Sequence, residues 1–316
     1  MSAYRTHLPQ LDGGLFLTDG GLETTLIFLD GEELPLFAAF DLMKTIRGKE
    51  VLRRYFEIHA RIARAHGTGF ILESPTWRSS PDWGDKLGYS KEALEAVNRE
   101  SIELMAEVRN ANASSSAPFV ISGCVGPRGD GYDPGKIMTR DEAHTYHGTQ
   151  IGIFAESEAD MVSAITMTNI PEAIGIVEAA KSAGIQSVIS FTVETDGHLP
   201  TGERLEDAIQ AVDEATRSSP AYYMINCAHP THFERILNGC APWLKRLRGI
   251  RANASKRSHQ ELNDSPDLDD GNPEELGGQY RDFVRRLPQL AVLGGCCGTD
   301  HRHIQEIGRA CVRAAA

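Results

Sequence analysis

Six cysteines carry the sharpest chemical signal in this sequence: Cys124, Cys227, Cys240, Cys296, Cys297 and Cys311. Two are adjacent within Gly294-Gly295-Cys296-Cys297-Gly298, and Cys227 follows Asn226. Three thiolates with one corner left open make the shell of a catalytic rather than a structural zinc. Zn2+ held by Cys227, Cys296 and Cys297 would be a weak Lewis acid, better suited to binding a soft thiol than to polarising water. A substrate thiol entering the open corner would lose its proton to the field of the metal and become a nucleophile at neutral pH. The flanking glycines permit the sharp turn that lets two neighbouring side chains reach one ion. Other readings stay open: buried cysteines filling small volumes, a vicinal disulfide, or a shell in which His229, His301 or His303 replaces a thiolate. Cys240 and Cys311 read as packing in or beside helices, and Cys124 as a rim residue without a partner.

Positioning these groups requires a scaffold, and the chain alternates two patterns. Short β-rich apolar runs fall at 15–18, 69–72, 119–122, 161–164, 187–191, 222–225, 247–251 and 290–293. Between them lie stretches of 3.6-residue apolar spacing, among them 51–65, 91–108, 170–183 and 205–215. Turn and cap signals such as Ala65-His66-Gly67 and Ser182-Ala183-Gly184 divide them. Eight alternations of strand and helix predict parallel pairing through right-handed crossovers, and the count favours a closed (β/α)8 barrel over an open sheet. No repeat or low-complexity linker splits the chain, so residues 1–316 read as a single domain. The polar segment 255–275 follows the seventh strand and reads as a long βα loop, of the length that usually serves as a lid or mobile segment.

In such a barrel the site lies at the carboxyl ends of the strands. Those ends carry Asp19-Gly20-Gly21 after the first strand, Glu73 after the second, Gly123-Cys124 after the third and Asn226-Cys227 after the sixth. Arg251 ends the seventh strand, and the Gly-Gly-Cys-Cys-Gly turn follows the eighth. Cys227 and the Cys296–Cys297 pair are thus separated by one strand only.

Composition bounds the rest. The chain has 316 residues, 32 basic against 44 acidic, for a net charge of −12. That balance excludes a general phosphate-neutralising surface for nucleic acid. No apolar run approaches the ~20 residues of a bilayer span, and the first dozen residues lack the apolar core of a secretory signal. A cytoplasmic, reducing setting is the expectation, with no membrane partner; a homo-oligomer is left open.

Asp19-Gly20-Gly21-Leu22-Glu23-Thr24, Asn226-Cys227 and Gly294-Gly295-Cys296-Cys297-Gly298-Thr299 together resemble the zinc-dependent homocysteine S-methyltransferase family, in order over residues 16–304. The resemblance implies a (β/α)8 barrel, Zn2+ on Cys227, Cys296 and Cys297, and a small thiol and a methyl donor as partners. Methionine biosynthesis follows if the thiol is homocysteine. It places Asp19 near the substrate amino group and the Gly20 and Gly21 amides near its carboxylate, and it groups Thr24 and Asn226 with the substrate-binding positions. One departure stands out. The family's fourth strand ends in a Glu that also binds the amino group, and here Ile165 takes that position. Isoleucine accepts no hydrogen bond, so Glu73 is the candidate to compensate from another direction, or else the thiol differs from homocysteine. Arg78, Arg128 and Arg251, near predicted strand ends, would suit a more anionic substrate. A cationic donor could lie against Trp77, Trp83 or Tyr132.

Two rival functions follow from the same residues. One is zinc-dependent hydrolysis, with water in the open corner and Glu73 or a rim histidine as base. The other is a non-catalytic zinc or redox sensor built on the Cys296–Cys297 pair.

Overall fold

The computed structural model describes residues 2–315, with side chains through residue 312. Eight parallel strands follow one another around a closed barrel. They are β1 (Phe16–Leu17), β2 (Gly69–Glu73), β3 (Phe119–Val125), β4 (Met161–Met167), β5 (Gln186–Phe191), β6 (Tyr222–Asn226), β7 (Leu247–Ala252) and β8 (Val292–Gly295). β8 returns to β1, pairing Val292 with Phe16 and Leu293 with Leu17. This is the (β/α)8 barrel expected from the alternation. β3 and β4 each run three residues past the expected end, because Gly123-Cys124-Val125 and Ile165-Thr166-Met167 are still buried strand and not yet loop.

Among the described residues, long helices follow seven of the strands: α1 (Ile46–His66), α2 (Lys91–Asn112), α3 (Arg140–Ala155), α4 (Ile170–Ala183), α5 (Leu205–Thr216), α6 (Pro273–Arg286) and α7 (His301–Ala315). Only a short helix (Pro230–Phe233) and a 3₁₀ turn (Pro242–Arg246) join β6 to β7. Local chemistry sets the ends of α4. Asn169 accepts from the Glu172 amide, Pro171 opens the first turn, and Gly184 leaves the last in a left-handed conformation. Among the described residues, no helix is long and apolar enough to cross a membrane.

The 255–275 segment departs from the expected open loop. Ser258 and Glu261 form a capping box that starts a short helix, His259–Asn263. Its last residues, from Pro273, are already the first turn of α6. Ser255 Oγ donates to Asp269 Oδ2 at 2.6 Å, which folds the segment back on itself.

Apolar side chains form two bodies. One lies between the sheet and the helices; the other fills the barrel, with Phe16, Ile71, Val120, Val188, Met224 and Val292 facing inward. The N-terminal segment closes the barrel end opposite the site. Leu8 and Gln10 are buried there, and the Ala3 and Tyr4 amides both donate to Asp160 Oδ1 at 2.7 Å. The far rim is left for chemistry.

Candidate active site

Cys227, at the end of β6, meets Cys296 and Cys297, just past β8. Cys227 Sγ lies 2.7 Å from Cys296 Sγ and 3.6 Å from Cys297 Sγ, and all three sulfurs fall within 4.8 Å of one another. Thiolates at ~2.3 Å from one zinc in tetrahedral geometry sit roughly 3.8 Å apart. The Cys227–Cys297 spacing is close to that, and the Cys227–Cys296 spacing would open by about 1 Å on a shared ion. The residues present therefore fit the metal that their types imply. The adjacent cysteines are not the closest pair, so a switch built on Cys296–Cys297 finds no special support. Thiol donation from Cys227 and Cys297 pulls the Cys296 thiol well below its ordinary value, with Arg251 nearby acting the same way; Cys227 is pushed up.

The backbone is bent to make this cluster. Cys227 has a left-handed φ of 55°, and Thr166, at the end of β4, one of 65°. Both are costly for side-chain-bearing residues and persist only where surroundings hold them. Asn226 supplies much of that hold. Its Oδ1 accepts from the Thr166 amide at 2.9 Å and Ser190 Oγ at 2.6 Å, and its Nδ2 donates to Thr166 Oγ1 at 2.7 Å. Asn226 therefore ties β4, β5 and β6 together beneath the sulfurs and is not part of the chamber wall. The Cys227 carbonyl accepts from Asn253 Nδ2 at 3.0 Å and His259 Nε2 at 2.7 Å.

The Gly-Gly-Cys-Cys-Gly turn is as constrained. A Cβ on Gly294 would stand 1.8 Å from Thr18 Oγ1, and one on Gly295 1.9 Å from Thr299 Oγ1. Thr24 Oγ1 accepts from the Gly298 amide at 3.1 Å and donates to the Gly21 carbonyl at 3.2 Å, buttressing the turn from the first strand. The Gly21 amide, expected near a substrate carboxylate, instead donates to the Thr299 carbonyl at 2.9 Å.

Beside the sulfurs lies a chamber of about 80 Å³, walled in part by Asp19, Glu23, Glu73, Cys124, Ile165 and Arg251. Its charges are arranged differently from the expectation for Asp19. Arg251 Nη2 donates to Asp19 Oδ1 at 2.7 Å, and the Tyr55 hydroxyl donates to Asp19 Oδ2 at 3.1 Å. Asp19 is thus already committed to a buried cation. Arg251 Nε also donates to the Gly295 carbonyl at 3.1 Å. Glu73 Oε1 lies 3.9 Å from Arg251 Nη1, and Glu73 Oε2 is buried without a partner. Burial raises the Glu73 carboxyl, and the Arg251 charge opposes this. Ile165 forms an apolar part of the same wall, as its position in the sequence implied.

A second chamber, of about 230 Å³, shares Phe37, Trp77, Thr166, Cys227 and Cys297 with the first and adds Arg78, Asp130 and Tyr132 among others. The sulfurs stand between the two. Tyr132 Oη lies 3.6 Å from both Cys227 Sγ and Cys297 Sγ, and its ring stacks on His259 at 3.9 Å. Trp83 faces the Arg78 guanidinium and the Lys86 ammonium, each 4.0 Å from its ring centre, and lines neither chamber. It has no face for a donor. Arg78 pairs with Asp130 at 2.8 Å and Arg128 with Asp82 at 2.7 Å.

Sequence reasoning had no means of finding Tyr55, which lies mid-helix in α1, and gave no role to Glu23. Glu23 follows the Asp-Gly-Gly turn, and that position alone could have flagged it. His229 and His303 prove to be caps and not metal ligands: His229 Nδ1 accepts from the Thr231 amide, and His303 Nδ1 from the Asp300 amide. Cys311 packs inside α7 as expected. Cys240 is exposed in a loop rather than packed beside a helix, and Cys124 is buried in the chamber wall.

A sequence model of the homocysteine S-methyltransferase family matches residues 16–311. Homocysteine S-methyltransferase 4 of Zea mays is 24% identical, the match covering 94% of this chain and 90% of that protein. Selenocysteine Se-methyltransferase of Brassica oleracea var. italica is also 24% identical, over 93% and 88% of the two. The metallated homocysteine methyltransferase MmuM of Escherichia coli superposes with a TM-score of 0.72 at 18% identity, over 95% of this chain and 98% of that one, and shares the fold. The chain is a methyltransferase and belongs to the homocysteine S-methyltransferase family.

Proposed function

We propose that this protein transfers a methyl group from a small cationic donor to a thiol amino acid, homocysteine or a close relative, at a zinc held by Cys227, Cys296 and Cys297. One observation carries the reading: sulfurs from two strand ends converge within 4.8 Å between two chambers, one charged and one aromatic. Zn2+ bound there supplies the field that keeps an acceptor thiol ionised at neutral pH. The protein does the rest. Asn226 and Thr24 hold the turns that present the three cysteines. Asp19, Gly20, Gly21 and Glu73 shape the amino-acid end of the acceptor chamber. Phe37, Trp77 and Tyr132 line the donor side, where Asp130 is already paired with Arg78, so the aromatic rings and not a free carboxylate are what the chamber offers a sulfonium or ammonium group. The acceptor sulfur attacks the donor methyl carbon in line; the new S–CH3 bond forms as the donor C–S or C–N bond breaks. The products are a thioether, methionine if the acceptor is homocysteine, and the donor freed of one methyl and its positive charge.

Residues 1–316 act in this reading as one catalytic domain in a reducing cytoplasm. Hydrolysis is less favoured because the expected thiolate-rich shell is a poor activator of water. Cys227→Ser, Cys296→Ser and Cys297→Ser should each take bound zinc from about one equivalent per chain to a small fraction of it, since each removes one of three protein ligands. X-ray absorption at the zinc edge should then show about three sulfurs rising to about four when homocysteine is added. An unchanged sulfur count at saturating homocysteine would remove that acceptor.

A further inference from the structure

The acceptor chamber holds a buried acid and a buried guanidinium set side by side, Glu73 Oε1 lying 3.9 Å from Arg251 Nη1. Glu73 and Arg251 are 5% and 7% exposed, and both line the chamber. Glu73 Oε2 has no hydrogen-bond partner. Arg251 uses Nη2 on Asp19 and Nε on the Gly295 carbonyl. Among the described residues, Nη1 has no acceptor within hydrogen-bond reach, and the nearest carboxylate oxygen is Glu73 Oε1 at 3.9 Å. A buried acceptor left unpaired costs free energy, and so does a half-used guanidinium. The 3.9 Å gap is wider than a direct charge-assisted hydrogen bond. It leaves the two groups side by side but not satisfied by each other.

We infer that Glu73 and Arg251 are the two jaws of the amino-acid clamp: Glu73 takes the α-ammonium of the acceptor and Arg251 takes its α-carboxylate. This deepens the proposed function and rests on it. The α-ammonium and α-carboxylate of an amino acid branch from one carbon, so they present opposite charges at the spacing of this pair. Asp19 is then a positioning residue that fixes Arg251, with Tyr55 holding its other oxygen. Ile165, on β4, is then free to form apolar wall because the ammonium is taken by Glu73, two strands away on β2. The clamp also balances charge: a carboxylate entering beside Asp19, Glu73 and the cysteine anions needs the one buried cation the chamber contains.

Truncated acceptors test the clamp on the zinc-loaded protein by calorimetric titration, independently of turnover. Three thiols are compared: homocysteine, 3-aminopropane-1-thiol, which lacks the carboxylate, and 4-mercaptobutanoate, which lacks the amine. Glu73→Gln should weaken homocysteine and the aminothiol by roughly ten- to a hundredfold while leaving the mercaptoacid within about twofold. Arg251→Lys keeps a cation for Asp19 but loses the fork. It should weaken homocysteine and the mercaptoacid and spare the aminothiol. If both variants bind all three thiols as the parent does, or lose all three equally while still holding zinc, the clamp is wrong. If the parent protein holds zinc and binds none of the three, the failure lies in the proposed acceptor class and not in the clamp. Should Arg251→Lys not fold, the Glu73→Gln pattern decides alone, since an amide of the same shape leaves the packing intact.

Discussion

Glu23 shows how burial retunes a single side chain. It stands one residue past the Asp-Gly-Gly-Leu turn, faces the acceptor chamber, and has its carboxyl pushed up from 4.5 to about 7. Burial is the main cause; its own backbone amide opposes the shift, and the nearby anions at Cys296 and Asp19 add to it. The sign follows by linkage: a folded value above the unfolded one means that the native state holds the proton longer. Glu23 therefore contributes fully below about pH 4.5, and its contribution is lost as pH rises through about 7. In metal-free protein, Glu23→Gln should match the parent near about pH 4 and exceed it by about 1 kcal/mol near about pH 8. Urea unfolding at the two pH values checks this; a constant gap would mean that Glu23 is ionised throughout. Cysteine identity and the Asp-Gly-Gly motif were legible because residue type alone narrows their chemistry. The Asp19–Arg251–Tyr55 contact was not, since it joins positions 19, 55 and 251, and only folding brings them together.

Strand ends and turns decide where those residues point. The alternation of apolar runs with helical spacing located every strand, because the barrel buries strands on both faces and punctuates them with caps such as Asn169 and Gly184. Strand ends were harder: Ile165-Thr166-Met167 continues β4 past a register shift between Ala164 and Met167, a local event that periodicity does not encode. The same limit applies to 255–275, where the Ser258 capping box makes a helix too short for any periodic signature. The cysteine turn supports a sharper expectation. Gly298 has φ +79°, and a Cβ there would meet the Asp269 carbonyl oxygen at 2.7 Å. Gly298→Ala must either strain the backbone or push the folded 255–275 segment away from the turn. It should lower the thermal midpoint by several degrees, for about 1–3 kcal/mol of strain, and weaken zinc binding although all three cysteines remain. Equal zinc affinity in parent and variant, measured by chelator competition, would show that the turn tolerates the change without moving Cys297.

At the scale of the whole barrel, the groups that stitch one βα unit to the next matter as much as those that face substrate. Glu172 is such a stitch. It accepts from the Arg128 amide after β3 at 2.7 Å, from His147 Nε2 on α3 at 2.9 Å and from Asn169 Nδ2 at the start of α4 at 3.1 Å. Burial alone would raise this carboxyl; the His147 bond and the two amide donors outweigh it and hold it below its ordinary value. The sign is opposite to that of Glu23. A depressed native value stabilises fully above the unfolded value of about 4.5, and the contribution is lost as pH falls through and below it. Neither Ile170-Pro171-Glu172 nor Tyr146-His147-Gly148 announces this pairing, because Asn169 is a local cap but the Arg128 amide and His147 come from other elements that only the closed barrel brings to Glu172. Glu172→Gln keeps the size and one acceptor oxygen but loses the charge that His147 and the amides face. It should cost about 1–3 kcal/mol at neutral pH. Guanidinium unfolding should show that gap undiminished from about pH 7 to about pH 5 and shrinking in acid, below the unfolded value, as the parent carboxylate protonates as well. A gap that persisted into acid would mean that Glu172 acts by shape alone, and that the barrel's acid tolerance is set elsewhere.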